Sequence, residues 1–147
     1  MQLVVFLLDE QRYGLKLPVV QRVIRSAEVT GLPSAPEIVM GIINLAGKVV
    51  PVLNIRRRFH LPEKELGLDD QFIIAKTGRR TVALLVDSVS SVEVSSDGLV
   101  HASDILPRMD YIDGVATLGD GMILIHDLDK FLSLEEERTL DEAMPRV

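Results

Sequence analysis

The chain has 147 residues, one domain by the usual range of roughly 100–200 residues, and its 47% apolar and 26% charged content is that of an ordinary globular protein. It contains no cysteine, which excludes a disulfide framework, a thiol nucleophile and thiolate-held zinc or iron–sulfur centres. A net charge of −6, no Trp and 4% aromatics argue against a nucleic-acid partner, which needs a basic face and stacking rings.

Residues 3–8 are a continuous apolar run that meets Asp9 and Glu10. The run is too short for a spanning helix of about 20 apolar residues and lacks a basic leader, so no direct membrane insertion and a cytoplasmic location are expected. It reads instead as a strand covered on both faces. Tyr13, Leu15 and Leu17 then share one face at period 2, and a polar connection over 9–12 makes an opening hairpin. Pro18 ends the second strand or sits on an edge.

Residues 19–24 form a further apolar segment, and Pro33 and Pro36 bracket a loop before a short helical turn at 37–39. Residues 41–45 and 49–53 flank Ala46-Gly47-Lys48 as a hairpin, with glycine at its tip. Residues 54–59 read as a helical turn with Ile55 and Phe59 four apart on one side. The stretch 60–70 is polar, contains Pro62 and Gly67, and reads as a connecting loop. Strands are expected at 72–76, 81–86 and 89–94, the first two joined through 77–80. Residues 114–118 and 122–125 flank an Asp-Gly turn, and the tail from Asp127 carries apolar residues at helical spacing. The sum is roughly eight to ten short strands with a helical tail, which suggests small barrels.

No linear constellation calls for catalysis or a metal. Gly41, Gly47 and Lys48 imitate a phosphate loop, but five residues intervene where the motif has four, and Val49 replaces the required hydroxyl. His60, His101 and His126 have no short ligand spacing, and His126 is expected at the surface or in a cap. Asp127 and Asp129 lack the glycine and distal glutamate of a calcium loop, and Asp127 reads as a helix N-cap. No serine sits in a Gly-x-Ser-x-Gly elbow. Arg56, Arg57 and Arg58 read as a solvated face, with an anion patch as the alternative. Catalytic residues, metal ligands and cofactors are therefore expected to be none.

Tyr13-Gly14, Val20, Leu32-Pro33, Pro36 and the run from Gly41 to Val52 stand in a fixed order. They are followed by Leu53-Asn54-Ile55-Arg56, Phe59, Val86-Asp87-Ser88-Val89, Leu118-Gly119 and Met122-Ile123-Leu124-Ile125. In this order the chain resembles the CheW-like domain family, the coupling proteins of bacterial chemotaxis, over nearly its whole length. The resemblance implies a mainly β fold: two packed five-stranded SH3-like β-barrel subdomains with short helices and a C-terminal helix. It makes residues 1–147 a single CheW-like domain. Approximate subdomains are expected at 10–70 and 71–126, with the first strand and the C-terminal helix packing across them.

The function implied is that of a non-enzymatic signalling adaptor. Its partners would be a chemoreceptor cytoplasmic tip and the regulatory domain of a chemotaxis histidine kinase. By family position Val20, Arg22, Gly41 and Val92 belong to the receptor-binding groove, and Asn44, Leu45, Ala46 and Gly47 form the partner-binding hairpin. Two residues depart from the family pattern: Ala46 stands where the family has Arg, and Arg22 where it has an acid. The two lost charges are opposite in sign, which suggests an ion pair removed from both sides. Such a loss costs about 0.2–1 kcal/mol of stability, whereas losing about 2 kcal/mol at an arginine hot spot weakens a complex roughly 30-fold. An adaptor of a non-chemotaxis sensory pathway (surface motility or second-messenger control) is the alternative, and a small-ligand-binding β-barrel stands below it.

Overall fold

A computed structural model describes residues 2–93, 99–101, 112–118 and 121–145. Its strands are β1 (Gln2–Leu8), β2 (Gln11–Lys16), β3 (Val20–Arg25), β4 (Val39–Leu45), β5 (Lys48–Leu53), β6 (Gln71–Lys76), β7 (Thr81–Val86), β8 (Ser88–Glu93), β9 (Leu99–His101), β10 (Ile112–Leu118) and β11 (Gly121–His126). Helix α1 is Ile55–Arg58 and α2 is Leu134–Ala143, with 3-10 turns at Leu17–Val19 and Leu128–Lys130. Glu37 and Ile38 make a turn rather than the helical turn expected there, because Val39 is already in β4. Gly119 and Asp120 of the expected last hairpin tip lie outside the described residues.

Five strands form one sheet in the order β3-β6-β7-β5-β4, and six form the other in the order β8-β1-β2-β11-β10-β9. The five-stranded sheet closes on itself: beyond β3 the Thr30 N–H donates to the Ile42 carbonyl at 3.0 Å, and the Thr30 carbonyl accepts the Ile42 N–H at 2.8 Å. The six-stranded sheet must also curl. Laid flat, its outer strands would be about 24 Å apart, whereas the six Cα steps from Glu93 to Leu99 reach roughly 21 Å at most. The fold is mainly β, with two SH3-like units as the resemblance implied. One sheet carries a sixth strand, the three-residue β9 at its edge.

The sheets do not divide at the 60–70 loop. That loop lies within the five-stranded unit, because β6 and β7 pair with β3 and β5 on its two sides. The five-stranded unit therefore runs from β3 to β7, and β1 and β2 pair with the later strands β8 and β11. The expected division at 70/71 is corrected accordingly: strand partners far apart in sequence, not the longest polar loop, decide sheet membership.

Three apolar clusters explain the sequence patterning. Val4, Phe6 and Leu8 of β1 join Ile73, Val82, Leu84, Phe131 and Leu140 in a core between the sheets. Leu3 and Val5 point the other way, onto Ala116, Ile123 and Ile125. Val50, Val52, Phe72, Ile74 and Leu85 fill the five-stranded barrel. Strand β1 is thus covered on both faces, as its continuous apolar run predicts, and every residue of β7 is buried.

Candidate functional site

A shallow groove of about 470 Å³ opens at the seam between the sheets, lined by Gln2, Lys16, Leu17, Pro18 and Glu93. Register places it: Gln2 faces Glu93 across β1–β8, and Leu3 faces Lys16 across β1–β2. The 3-10 turn Leu17–Val19 carries the chain from one sheet to the other, and proline, which has no N–H to donate, fits its start. Leu17 is left 41% exposed beside the groove. Val20 follows two residues after Pro18 and packs half-buried on the shared core. Val92 precedes Glu93 and packs half-buried on the six-stranded sheet's interior. Neither valine is among the residues that line the groove: Val92 faces Leu3 across β1–β8, on the face opposite to Gln2 and Glu93, and Val20 packs on the shared core two residues beyond Pro18.

Arg22 lies exposed on β3 opposite Ile74, and it makes no ion pair among the described residues. Gly41 is buried on β4. A Cβ there would lie 2.1 Å from the Thr30 carbonyl oxygen, so glycine is what allows the barrel-closing strand to approach. Leu17 and Pro18 were read in the sequence as strand face and strand end, not as site residues; β2 ends at Lys16 and Leu17 opens the 3-10 turn.

Asn44, Leu45, Ala46 and Gly47 form the β4–β5 hairpin tip, a two-residue turn in which Ala46 and Gly47 both have positive φ, 52° and 86°. That is the turn whose twist matches antiparallel strands. The Asn44 side-chain oxygen accepts the Gly47 N–H at 2.8 Å and locks the tip. Asn44, Ala46, Gly47 and Lys48 are exposed, and Leu45 is half-buried. The Lys48 ammonium donates to the Thr81 hydroxyl at 3.1 Å, which ties the tip to the start of β7.

Asp87, the single residue between β7 and β8, is the centre of a charged clasp. Its N–H donates to the Leu7 carbonyl at 3.0 Å. Its carboxylate accepts both Oδ contacts from Arg56 at 2.9 and 3.0 Å, the Asp9 N–H at 3.0 Å and the Lys64 ammonium at 3.3 Å. Arg56 also donates to Asp9 at 2.8 Å and to the Pro62 carbonyl at 3.2 Å. Burial works against the ionised form of Asp87. The hydrogen bonds from Arg56, Asp9 N–H and Lys64 outweigh it and hold the carboxyl below its ordinary value. Asp9 belongs to the β1–β2 turn and Arg56 to α1, so the clasp ties the two sheets together.

The three arginines are neither a solvated face nor an anion patch. Arg56 is buried, Arg57 pairs with Glu63 at 2.9 Å and Arg58 pairs with Glu136 at 2.7 Å. His126 is not at the surface; it is buried and stacks on Phe59 with ring centroids 4.6 Å apart, within a cluster that includes Tyr13 and Phe131. Asp127 does cap, accepting the Asp129 N–H at 3.1 Å at the head of the 3-10 turn. Among the described residues no three His, Asp or Glu side chains gather in a way that could hold a metal ion, and no helix is long and apolar enough to cross a membrane.

The model of the CheW-like domain matches residues 2–136. The chain belongs to the CheW-like domain family. The chemotaxis protein CheW of Treponema pallidum is 30% identical to it over 146 residues, covering 95% of this chain and 86% of that protein. The chemotaxis protein CheW of Klebsiella aerogenes is 27% identical over 145 residues, covering 97% and 87%. Among solved structures, the scaffolding protein TtCheW of Thermoanaerobacter tengcongensis superposes with a TM-score of 0.82 at 28% identity, over 92% of this chain and 94% of that one. The family, its chemotaxis relatives and this scaffold structure make the chain a CheW-like chemotaxis coupling adaptor.

Proposed function

We propose that this CheW-like chain joins a chemoreceptor cytoplasmic tip to the regulatory domain of a chemotaxis histidine kinase. The role is non-enzymatic and cytoplasmic. The receptor occupies the seam groove beside Val20, Arg22 and Val92, and the tip formed by Asn44, Leu45, Ala46 and Gly47 serves the coupling contact. The observation that carries this reading is the groove itself: a slot at the seam in which the exposed Leu17 and Pro18 are flanked by Gln2, Lys16 and Glu93. Gly41 contributes from beneath, by keeping the barrel closed around Thr30 rather than by touching the partner.

Ala46 and Arg22 favour a modified form of the complex. Arg22 stands exposed as an unpaired cation among the described residues, and Ala46 has no side chain that could interact with it. Calorimetric titration with a receptor tip fragment and with the kinase regulatory domain, both from the same genome, tests the role. Leu17→Asp is expected to weaken receptor binding at least tenfold and leave kinase binding unchanged. Receptor binding that ignores Leu17→Asp removes the groove from the reading, and binding of neither fragment removes the role. In the same titration Arg22→Glu/Ala46→Arg is expected to tighten binding, as restoration of a hot-spot charge pair predicts.

A further inference from the structure

Two exposed features that the coupling role does not use are complementary and lie at opposite ends of β6. The first is the loop 63–69, where Leu68 is 96% exposed and Leu66 is also exposed. Glu65 and Asp69 bracket these leucines, and both are exposed carboxylates without an ion pair among the described residues. The loop is not slack. The Ser26 hydroxyl donates to the Gly67 carbonyl at 3.0 Å, and the Gly67 N–H donates to Asp70 at 2.7 Å. The Lys64 ammonium donates to Asp70 at 3.0 Å. The leucines are therefore presented on an anchored backbone, which lowers the ordering cost of a contact.

The second is a cleft of about 790 Å³ between the β6–β7 tip and the head of α2, whose walls include Thr77, Arg79, Lys130, Leu132 and Leu134. Leu134 is 67% exposed there. Arg79 and Lys130 are exposed cations with no ion pair among the described residues. Of the acids on the same wall, Glu137 pairs with Arg80 at 2.9 Å, whereas Asp129 accepts the Gly78 N–H at 2.7 Å and makes no ion pair among the described residues. Arg58, also at the cleft, is held by Glu136. The two unpaired cations Arg79 and Lys130 stand against the one unpaired carboxylate of the wall, Asp129, so the surplus is positive in a chain whose net charge is −6.

From this complementarity we infer that the cleft receives the 63–69 loop of a second copy of this chain. Leu68 and Leu66 pack on Leu134, while Glu65 and Asp69 meet Arg79 and Lys130. The contact cannot form within one molecule, because the loop precedes β6 and the cleft follows it, and six residues of strand separate them by about 20 Å. Loop and cleft are different surfaces, so the association is head-to-tail and propagates from copy to copy. It is also small and rimmed by charge, so it is weak, with a dissociation constant of roughly 10 μM to 1 mM, and weakens further with salt. It uses neither the seam groove nor the β4–β5 tip and stands independently of the receptor and kinase contacts.

Sedimentation of the full chain over a concentration series tests it, with two charge-reversed variants: Glu65→Lys/Asp69→Lys in the loop, and Arg79→Glu/Lys130→Glu in the cleft. The natural chain is expected to gain average mass with concentration and to lose that gain in high salt. Each variant alone stays monomeric, and an equal mixture of the two associates again, since each reversed surface then meets its complement. Recovery on mixing separates a lost contact from a lost fold. Leu68→Ser, on a fully exposed side chain, lowers association at least tenfold with no change in unfolding midpoint. A natural chain that stays monomeric throughout overturns the inference, and so does a mixture that fails to recover. Loss of receptor or kinase binding does not bear on it.

Discussion

Single residues set the tolerances of this fold, and Gly41 sets the tightest. The barrel closes only because the Thr30 backbone lies where a Cβ would be. Neither partner can retreat without breaking the paired hydrogen bonds between Thr30 and Ile42. Gly41→Ala is expected to cost about 2–4 kcal/mol, at the upper end for one added methyl in a packed site. Urea unfolding measures this, and amide exchange at Ile42 should rise with it. Ala46 is the opposite case. It takes a left-handed φ of 52° at an exposed turn, a conformation that alanine tolerates at modest cost, so its identity is left to the partner surface. Val20 and Val92 were legible in the sequence only by resemblance. Nothing in their spacing, 72 positions apart by number, says that one packs on the core between the sheets and the other inside the six-stranded sheet.

At the scale of elements, period and turn chemistry were legible. The continuous run in β1 and the Thr77 to Arg80 turn appear where the sequence puts them, and the expected Ala46-Gly47-Lys48 tip tightens to Ala46-Gly47, because Lys48 already pairs with Leu45 in β5. The tail divides into a 3-10 turn and α2, since Ser133 opens a second cap. Its hydroxyl accepts the Glu136 N–H at 3.1 Å, and Glu136 accepts the Ser133 N–H at 2.9 Å, a reciprocal capping box. Glu136 also holds Arg58 of α1, so the cap fastens α2 to the barrel. Burial opposes its ionised form, but the Ser133 N–H and Arg58 together keep its carboxyl below the ordinary value. Ser133→Ala is expected to cost about 1 kcal/mol, read as a lower urea midpoint with early loss of helical circular dichroism. The arginine triplet was misread at this scale. A run of charge looks solvated in one dimension, and its carboxylate partners come from the β1–β2 turn, the 60–70 loop, the β7–β8 joint and α2.

The whole molecule is two curled sheets joined by the 3-10 turn Leu17–Val19 at one end of the seam and by Asp87 at the other. The clasp on Asp87 holds the second joint, and its dependence on pH follows from the sign of the shift. A carboxyl whose folded value lies below its unfolded value stabilises fully above the unfolded value of about 3.9 and loses that contribution as pH falls through the folded one. Asp87→Asn should therefore be less stable than the natural chain at pH 7, and the gap should narrow steadily below about pH 4. Paired urea titrations at pH 7 and pH 3 check this, and a gap that is constant with pH assigns Asp87 a packing role alone. The amino-acid sequence by itself determined the β class, the hairpins, the helical tail, the absence of thiol chemistry and the family likeness. All of these rest on composition or on neighbours close along the chain. Only the tertiary structure decided that β1 and β2 belong with β8 to β11 and that the 60–70 loop divides nothing. It alone brought Gln2, Leu17 and Glu93 to one groove and aimed three arginines at carboxylates up to 78 positions away. Those outcomes depend on closing sheets through partners distant in sequence, and no local pattern encodes a partner's position.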